Sequence, residues 1–91
     1  MELTELRKQI DEIDRQLVAL LERRMDVSAG VAQYKIGHGL PVLDAGREAE
    51  KLAAIRAMCR PETQEHIAGL FDRVLAASRA YQTALMERTH E

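Results

Sequence analysis

Hydrophobic positions in the first third of the chain run Leu3, Leu6, Ile10, Ile13, Leu17 and Leu20, then Val27, Val31 and Tyr34, with Arg24 standing where the next apolar residue is due. The steps alternate between three and four, the spacing of a seam by which one helix packs against others. At about 100° per residue, Lys35 lies only about 20° round the helix from Arg24 and three turns further on, and Ser28 falls between them. One inward face therefore carries an arginine, a serine and a lysine, and the rest of the chain has to supply a reason for burying them.

The pattern predicts a first helix from about Thr4, a candidate N-cap, to about Ile36, where Gly37, Gly39 and Pro41 stop it. At about 1.5 Å per residue that helix is about 50 Å long, roughly twice the diameter of a compact globule of this size. Its own chain cannot cover it, and a dimer in which two long helices run against each other is the simplest remedy. Gly30, inside the helix, marks either a close crossing of another backbone or ligand, or simple tolerance at a cost of about 1 kcal/mol.

After a loop at 37–43, Asp44 reads as the N-cap of a second helix that runs to about Met58, with Ala49, Leu52, Ala53 and Ile55 as a weak apolar side. On periodicity alone Arg47, Glu48, Glu50 and Lys51 read as its solvated face. Pro61, placed as a first-turn residue and followed by Glu62 and Glu65, opens a third helix to about Arg88. Ile67, Phe71, Val74, Leu75 and Leu85 form its apolar face. Ser78 and Gln82 interrupt that face one turn apart, and buried hydroxyl and amide groups need partners. Alone, the pair reads as a structural hydrogen bond; beside the Arg24–Lys35 face it reads as part of a binding site. No strand alternation persists, so the chain is expected to be all-α, one domain over residues 1–91 with helices long, short and long.

Composition narrows the possible partners. Of 91 residues 46% are hydrophobic and 31% charged, and the formal net charge is −2 with a pI near 5.9. Arg7, Lys8, Arg15, Arg23 and Arg24 are offset by interleaved acids, which argues against nucleic acid. The opening segment has no apolar stretch of signal-peptide or membrane-spanning kind, so a soluble cytoplasmic protein without a membrane partner is expected. The single cysteine, Cys59, excludes a disulfide framework and reads as structural.

The inward polar set of Arg24, Ser28, Lys35, Ser78 and Gln82, with Arg47 and Glu48 nearby, is richer in cations than in anions. Guanidinium forks pair bidentately with carboxylates and phosphates, so the set suits a small ligand bearing two such groups, and one Glu suits a hydroxyl. His38 in the loop, His66 in the third helix and His90 at the tail make no metal set, and no glycine-rich phosphate motif is present. The site is therefore expected to work by position and electrostatics, without nucleophile, metal or cofactor.

These residues carry a resemblance. LRKQIDEIDRQLVALLERRM, then Tyr34–Lys35, then LPVLDAGRE from Leu40 to Glu48, then Ser78 and Gln82, resemble in order and spacing the small all-helical class of chorismate mutases, nearly end to end. The resemblance implies an intertwined homodimer with two composite active sites. Its reaction is the Claisen rearrangement of chorismate to prephenate in Phe and Tyr biosynthesis. It implies that Arg7 reaches in from the other chain, while Arg24, Lys35, Asp44, Arg47, Glu48, Ser78 and Gln82 come from the first. Arg7, Arg24 and Arg47 would hold the two carboxylates, Lys35 and Gln82 would donate to the ether oxygen, Glu48 with the backbone near Asp44 would take the ring hydroxyl, and Ser78 would assist a carboxylate. Lys35, Gln82 and Arg24 are the implied catalytic groups. Met25 and Asp26 also resemble the isochorismate-pyruvate lyases of the same fold, against which DAGRE and Ser78 speak. A silent dimerisation or regulatory module would lack a charge somewhere in the set, and none is missing.

Overall fold

The computed structural model describes residues 2–89, which form three helices: α1 (Leu3–His38), α2 (Ala45–Met58) and α3 (Gln64–Thr89). No strand occurs among the described residues, and no helix there is long and apolar enough to cross a membrane. The molecule measures 54 × 26 × 14 Å. Its radius of gyration is 16.4 Å, against about 12 Å for a compact chain of this length. The long dimension is that of α1.

The helix ends follow from local chemistry. α1 begins at Leu3, with Glu2 rather than Thr4 at its N-cap and no side-chain cap bond. It continues through Gly37, where the glycines suggested a stop, because Gly37 only weakens a helix whereas Gly39 terminates it. Gly39 is left-handed (φ 64°), its N–H donates to the Ile36 carbonyl at 3.4 Å, and Leu40 N–H donates to the Lys35 carbonyl at 2.9 Å. That pair of bonds is the Schellman closure, and glycine is the residue that enters it without steric cost. His38 is consequently in the last helical turn, where its Nδ1 is 2.8 Å from the Tyr34 carbonyl and its ring stacks on Tyr34.

Asp44 caps α2 as expected: its side chain accepts from Arg47 N–H at 3.0 Å, and its carbonyl accepts from Glu48 N–H at 3.0 Å. Pro61 does not open α3. Thr63 N–H donates to the Arg60 carbonyl at 3.2 Å, so Pro61 is the second residue of a turn over residues 60–63, where its fixed φ is equally favourable. The helix starts afterwards, with Ile67 N–H donating to the Thr63 carbonyl. Cys59 is half-buried and its Sγ donates to the Ile55 carbonyl at 3.2 Å, a structural use of the thiol.

α3 packs along the second half of α1 on one side and against α2 on another. The buried residues are Ala32, Ile55, Ala68 and Leu75 with the polar Ser28, Ser78 and Gln82. Small residues, Ser28 and Ala32, let α3 approach α1 closely. The face of α1 that meets α3 is offset by one residue, about 100°, from the predicted seam. Ser28 and Ala32 are buried, while Val27, Val31 and Tyr34 beside them stay exposed. Every residue from 2 to 23 is exposed, including Leu3 (59%), Ile10 (55%), Ile13 (60%) and Leu17 (50%). A Cβ on Gly30 would meet no atom of the chain, so the crossing it suggested is not one within the chain itself.

Candidate functional site

A cleft of about 330 Å³ opens between the three helices, within the range typical of small-molecule sites. α1 contributes Arg24, Ser28 and Lys35, one above another on the face the helical spacing predicts. The capped first turn of α2 contributes Asp44, Arg47 and Glu48, and α3 contributes Ser78 and Gln82. Seven of the eight site residues that the resemblance implies, with Ser28 beside them, therefore meet in one cleft. Arg7 does not: it is exposed on the uncovered half of α1, and seventeen helical residues put it about 25 Å from Arg24.

Lys35 is held at both ends. Its carbonyl is fixed by the Leu40 N–H of the helix closure, and its Nζ donates to the Val42 carbonyl at 2.6 Å. An ammonium has three donors, so this bond aims the group across the mouth of the loop and leaves the others for a ligand. Arg24 and Lys35 are both half-buried, where charge interactions are stronger than in bulk water.

A chain of hydrogen bonds crosses the floor. Ser28 Oγ and Ser78 Oγ are 2.8 Å apart, and Gln82 Nε2 donates to Ser78 Oγ at 3.1 Å. All three residues are buried. Gln82 Oε1 ends the chain, buried and without a hydrogen-bond partner among the described residues. An orphaned buried amide oxygen is costly and marks a group whose partner arrives from elsewhere. The Ser78 hydroxyl is already shared between two neighbours.

Two charged cleft residues were not expected from sequence, Arg79 and Lys51. Arg79 Nη1 donates to Glu48 Oε1, joining α3 to α2 at the cleft edge. Glu48 is thus not a free acceptor, and the solvated face assigned to the start of α2 holds only for Glu50 among its four charged residues, since Arg47, Glu48 and Lys51 all line the cleft. The residues Arg24, Lys35, Arg47, Lys51 and Arg79 face only two carboxylates, Asp44 and Glu48. One carboxylate, Asp44, is committed to capping. A chain with a net charge of −2 therefore presents a cationic cleft, and such a concave, low-dielectric site concentrates a dianion. The donor set offers no nucleophile with a base beside it; what it can do is clamp two anionic groups and donate to charge that develops between them. His66 lies in the first turns of α3, outside the cleft, and His90 lies outside the described residues.

The family described as chorismate mutase type II matches residues 6–83. Among curated relatives, the chorismate mutase of Methanocaldococcus jannaschii is 32% identical over 89 residues, covering 96% of this chain and 90% of that protein. The T-protein of Enterobacter agglomerans is 46% identical over 55 residues, 60% of this chain but 15% of that protein. The 4-amino-4-deoxychorismate mutase of Streptomyces venezuelae is 39% identical over 46 residues, 50% of this chain and 45% of that protein. No solved structure matches the chain.

Proposed function

The chain belongs to the chorismate mutase type II family, and we infer from that premise and from the cationic cleft that it is a chorismate mutase, isomerising chorismate to prephenate in aromatic amino-acid biosynthesis. The observation that carries the reading is the convergence of Arg24, Lys35, Arg47 and the Gln82 amide, with its orphaned oxygen, in one cleft. Chorismate is a dianion whose rearrangement breaks an ether bond as a carbon–carbon bond forms, within one molecule. No atom leaves and no electron is transferred, so the protein has only to select a conformer and stabilise charge.

Arg24 and Arg47 pair with the carboxylates and draw the enolpyruvyl arm over the ring. Lys35 donates to the ether oxygen as it gains negative charge. Gln82 does the same after its amide turns over: the Ser78 hydroxyl then donates to Oε1, and Nε2 is released to the substrate. In this reading Ser78 acts by holding Gln82, with Ser28 behind it, and Asp44 acts by fixing the first turn of α2, from which Glu48 receives the ring hydroxyl on the oxygen that Arg79 leaves free.

The site is completed by a second copy. The exposed seam from Leu3 to Leu20, the extended radius of gyration and a 14 Å thickness all describe a chain that covers too little of its own α1. An apolar groove of about 590 Å³ lined by Leu17, Leu21, Ile67 and Phe71 continues that seam. An antiparallel partner helix would cover it and bring Arg7 of the other chain beside Arg24, making an intertwined homodimer with two composite sites. A single cysteine engaged with its own helix fits a reducing cytoplasm.

Purified protein mixed with chorismate, with no cofactor added, is expected to deplete its ultraviolet absorbance and yield prephenate and no pyruvate. Pyruvate released from isochorismate, or no turnover by a folded dimer, overturns the reading. Gln82 is an amide and donates to the ether oxygen without first taking up a proton. Activity is therefore expected to be flat from about pH 5 to about pH 8. A steep rise confined to the acid side, measured as kcat against pH, would show that a protonated acid replaces the amide in that role.

A further inference from the structure

We propose that Arg79 determines specificity at the Glu48 end of the cleft, making it accept a neutral hydroxyl on the substrate ring and exclude an ammonium at the same position. The inference rests on the reading above, in which Glu48 receives the ring hydroxyl. Glu48 and Arg79 are thirty-one residues apart in sequence and meet across α2 and α3 through Nη1 and Oε1. Their side chains are 22% and 36% exposed, so the pair stands at the rim of the cleft, partly withdrawn from water. Lys51, one turn beyond Glu48 on α2, lines the same end. The nearby Asp44 carboxylate keeps its charge, but its Oδ1 is directed to the Arg47 N–H of the helix cap.

Glu48 therefore presents Oε2 to a ligand with its charge already balanced by a guanidinium. A hydroxyl asks only for an acceptor and introduces no charge, so it binds there without opposition. An ammonium would also find an acceptor, but it would add a cation beside Arg79 and Lys51. Repulsion between like charges about 6 Å apart, at an effective dielectric of about 20, corresponds to roughly a hundredfold in affinity. Screening at a guanidinium one-third exposed reduces that to about tenfold. Removing the guanidinium reverses the preference locally, since a bare carboxylate attracts an ammonium more strongly than a hydroxyl.

The test compares kcat/KM for chorismate and for the analogue whose ring hydroxyl is replaced by an ammonium, in the wild-type enzyme, Arg79→Gln and Arg79→Lys. Arg79→Gln is expected to raise the ratio of analogue to chorismate about tenfold, whereas Arg79→Lys, which keeps the charge, stays near the wild-type ratio. In the wild type the discrimination is expected to relax as pH rises and the analogue's ammonium loses its proton, and in Arg79→Gln this dependence flattens. A ratio unchanged in folded Arg79→Gln overturns the proposal, and so does an equal shift in both variants, which would make shape rather than charge the cause. Glu48→Ala, which removes the acceptor altogether, separates the two levels of inference. If it leaves kcat/KM for chorismate unaltered, the hydroxyl is not at Glu48 and the underlying reading fails. If it lowers kcat/KM while Arg79→Gln leaves the ratio unchanged, only the role of Arg79 fails.

Discussion

Lys35→Ala is expected to lower kcat for chorismate by about 10²–10³, with a smaller change in KM, because the loss of one preorganised donor at a developing oxyanion is felt chiefly in the transition state. The structure gives particular reasons for a large effect. Lys35 sits where the helix closure at Gly39 fixes its backbone, and the Val42 carbonyl fixes its ammonium, so little reorganisation is needed when charge develops. Gln82→Ala removes the second donor but leaves the Ser28–Ser78 bond in place, and a smaller loss, about tenfold to a hundredfold, is expected. Steady-state kinetics on both variants, with circular dichroism to verify helix content, decide the matter. A Lys35→Ala enzyme within threefold of the wild-type kcat would mean that the ether oxygen is stabilised elsewhere.

Much of this site is legible in the sequence because it lies on long, regular helices. The angular relation among Arg24, Ser28 and Lys35 follows from 100° per residue, and the structure brings all three to one cleft. Asp44 is legible as a cap because an aspartate immediately before a helical run has a local reason to be there. Features set by two elements together are not legible. Arg79 follows buried Ser78 by one residue and reads as the edge of an apolar face. Its partner Glu48 is on a helix whose rotation about its own axis depends on the turn at 60–63, and periodicity does not reveal that rotation. Gly37 and Gly39 look equivalent as helix breakers, and only the backbone distinguishes the one at positive φ.

The offset between the two faces of α1 carries the functional argument further than either face alone. Had the Leu3–Tyr34 seam packed against α3, the chain would have consumed its own apolar stripe and left Arg24, Ser28 and Lys35 at the margin. Instead the small residues Ser28 and Ala32 take α3, which brings Ser78 and Gln82 against the Arg24–Lys35 face and leaves the large hydrophobics of the first half unmatched. The geometry that assembles seven of the expected site residues in one cleft is thus the same geometry that, in the proposed dimer, makes that chain's α1 depend on a partner.

That dependence leads to an expected result for mixed dimers. Arg7→Ala alone is expected to lower kcat/KM by about 10², the effect of losing one charge-assisted clamp on a carboxylate. When Arg7→Ala and Lys35→Ala chains are mixed and allowed to exchange, about half of the dimers are heterodimers. In each of these, one site takes its body from the Arg7→Ala chain, with Lys35 intact, and its reaching arginine from the Lys35→Ala chain, with Arg7 intact. The other site lacks both. One site in two is restored in the heterodimers, so the mixture is expected to recover about one quarter of wild-type activity per chain. If Arg7 served its own chain's cleft, every site in the heterodimer would lack one residue and no activity would return. The distance of about 25 Å along an unbroken α1 already makes that cis arrangement unworkable for a ligand the size of chorismate. Heterodimers verified by mass and found inactive would therefore overturn the shared site, because a site with Lys35 from one chain and Arg7 from the other would be complete and yet fail to work.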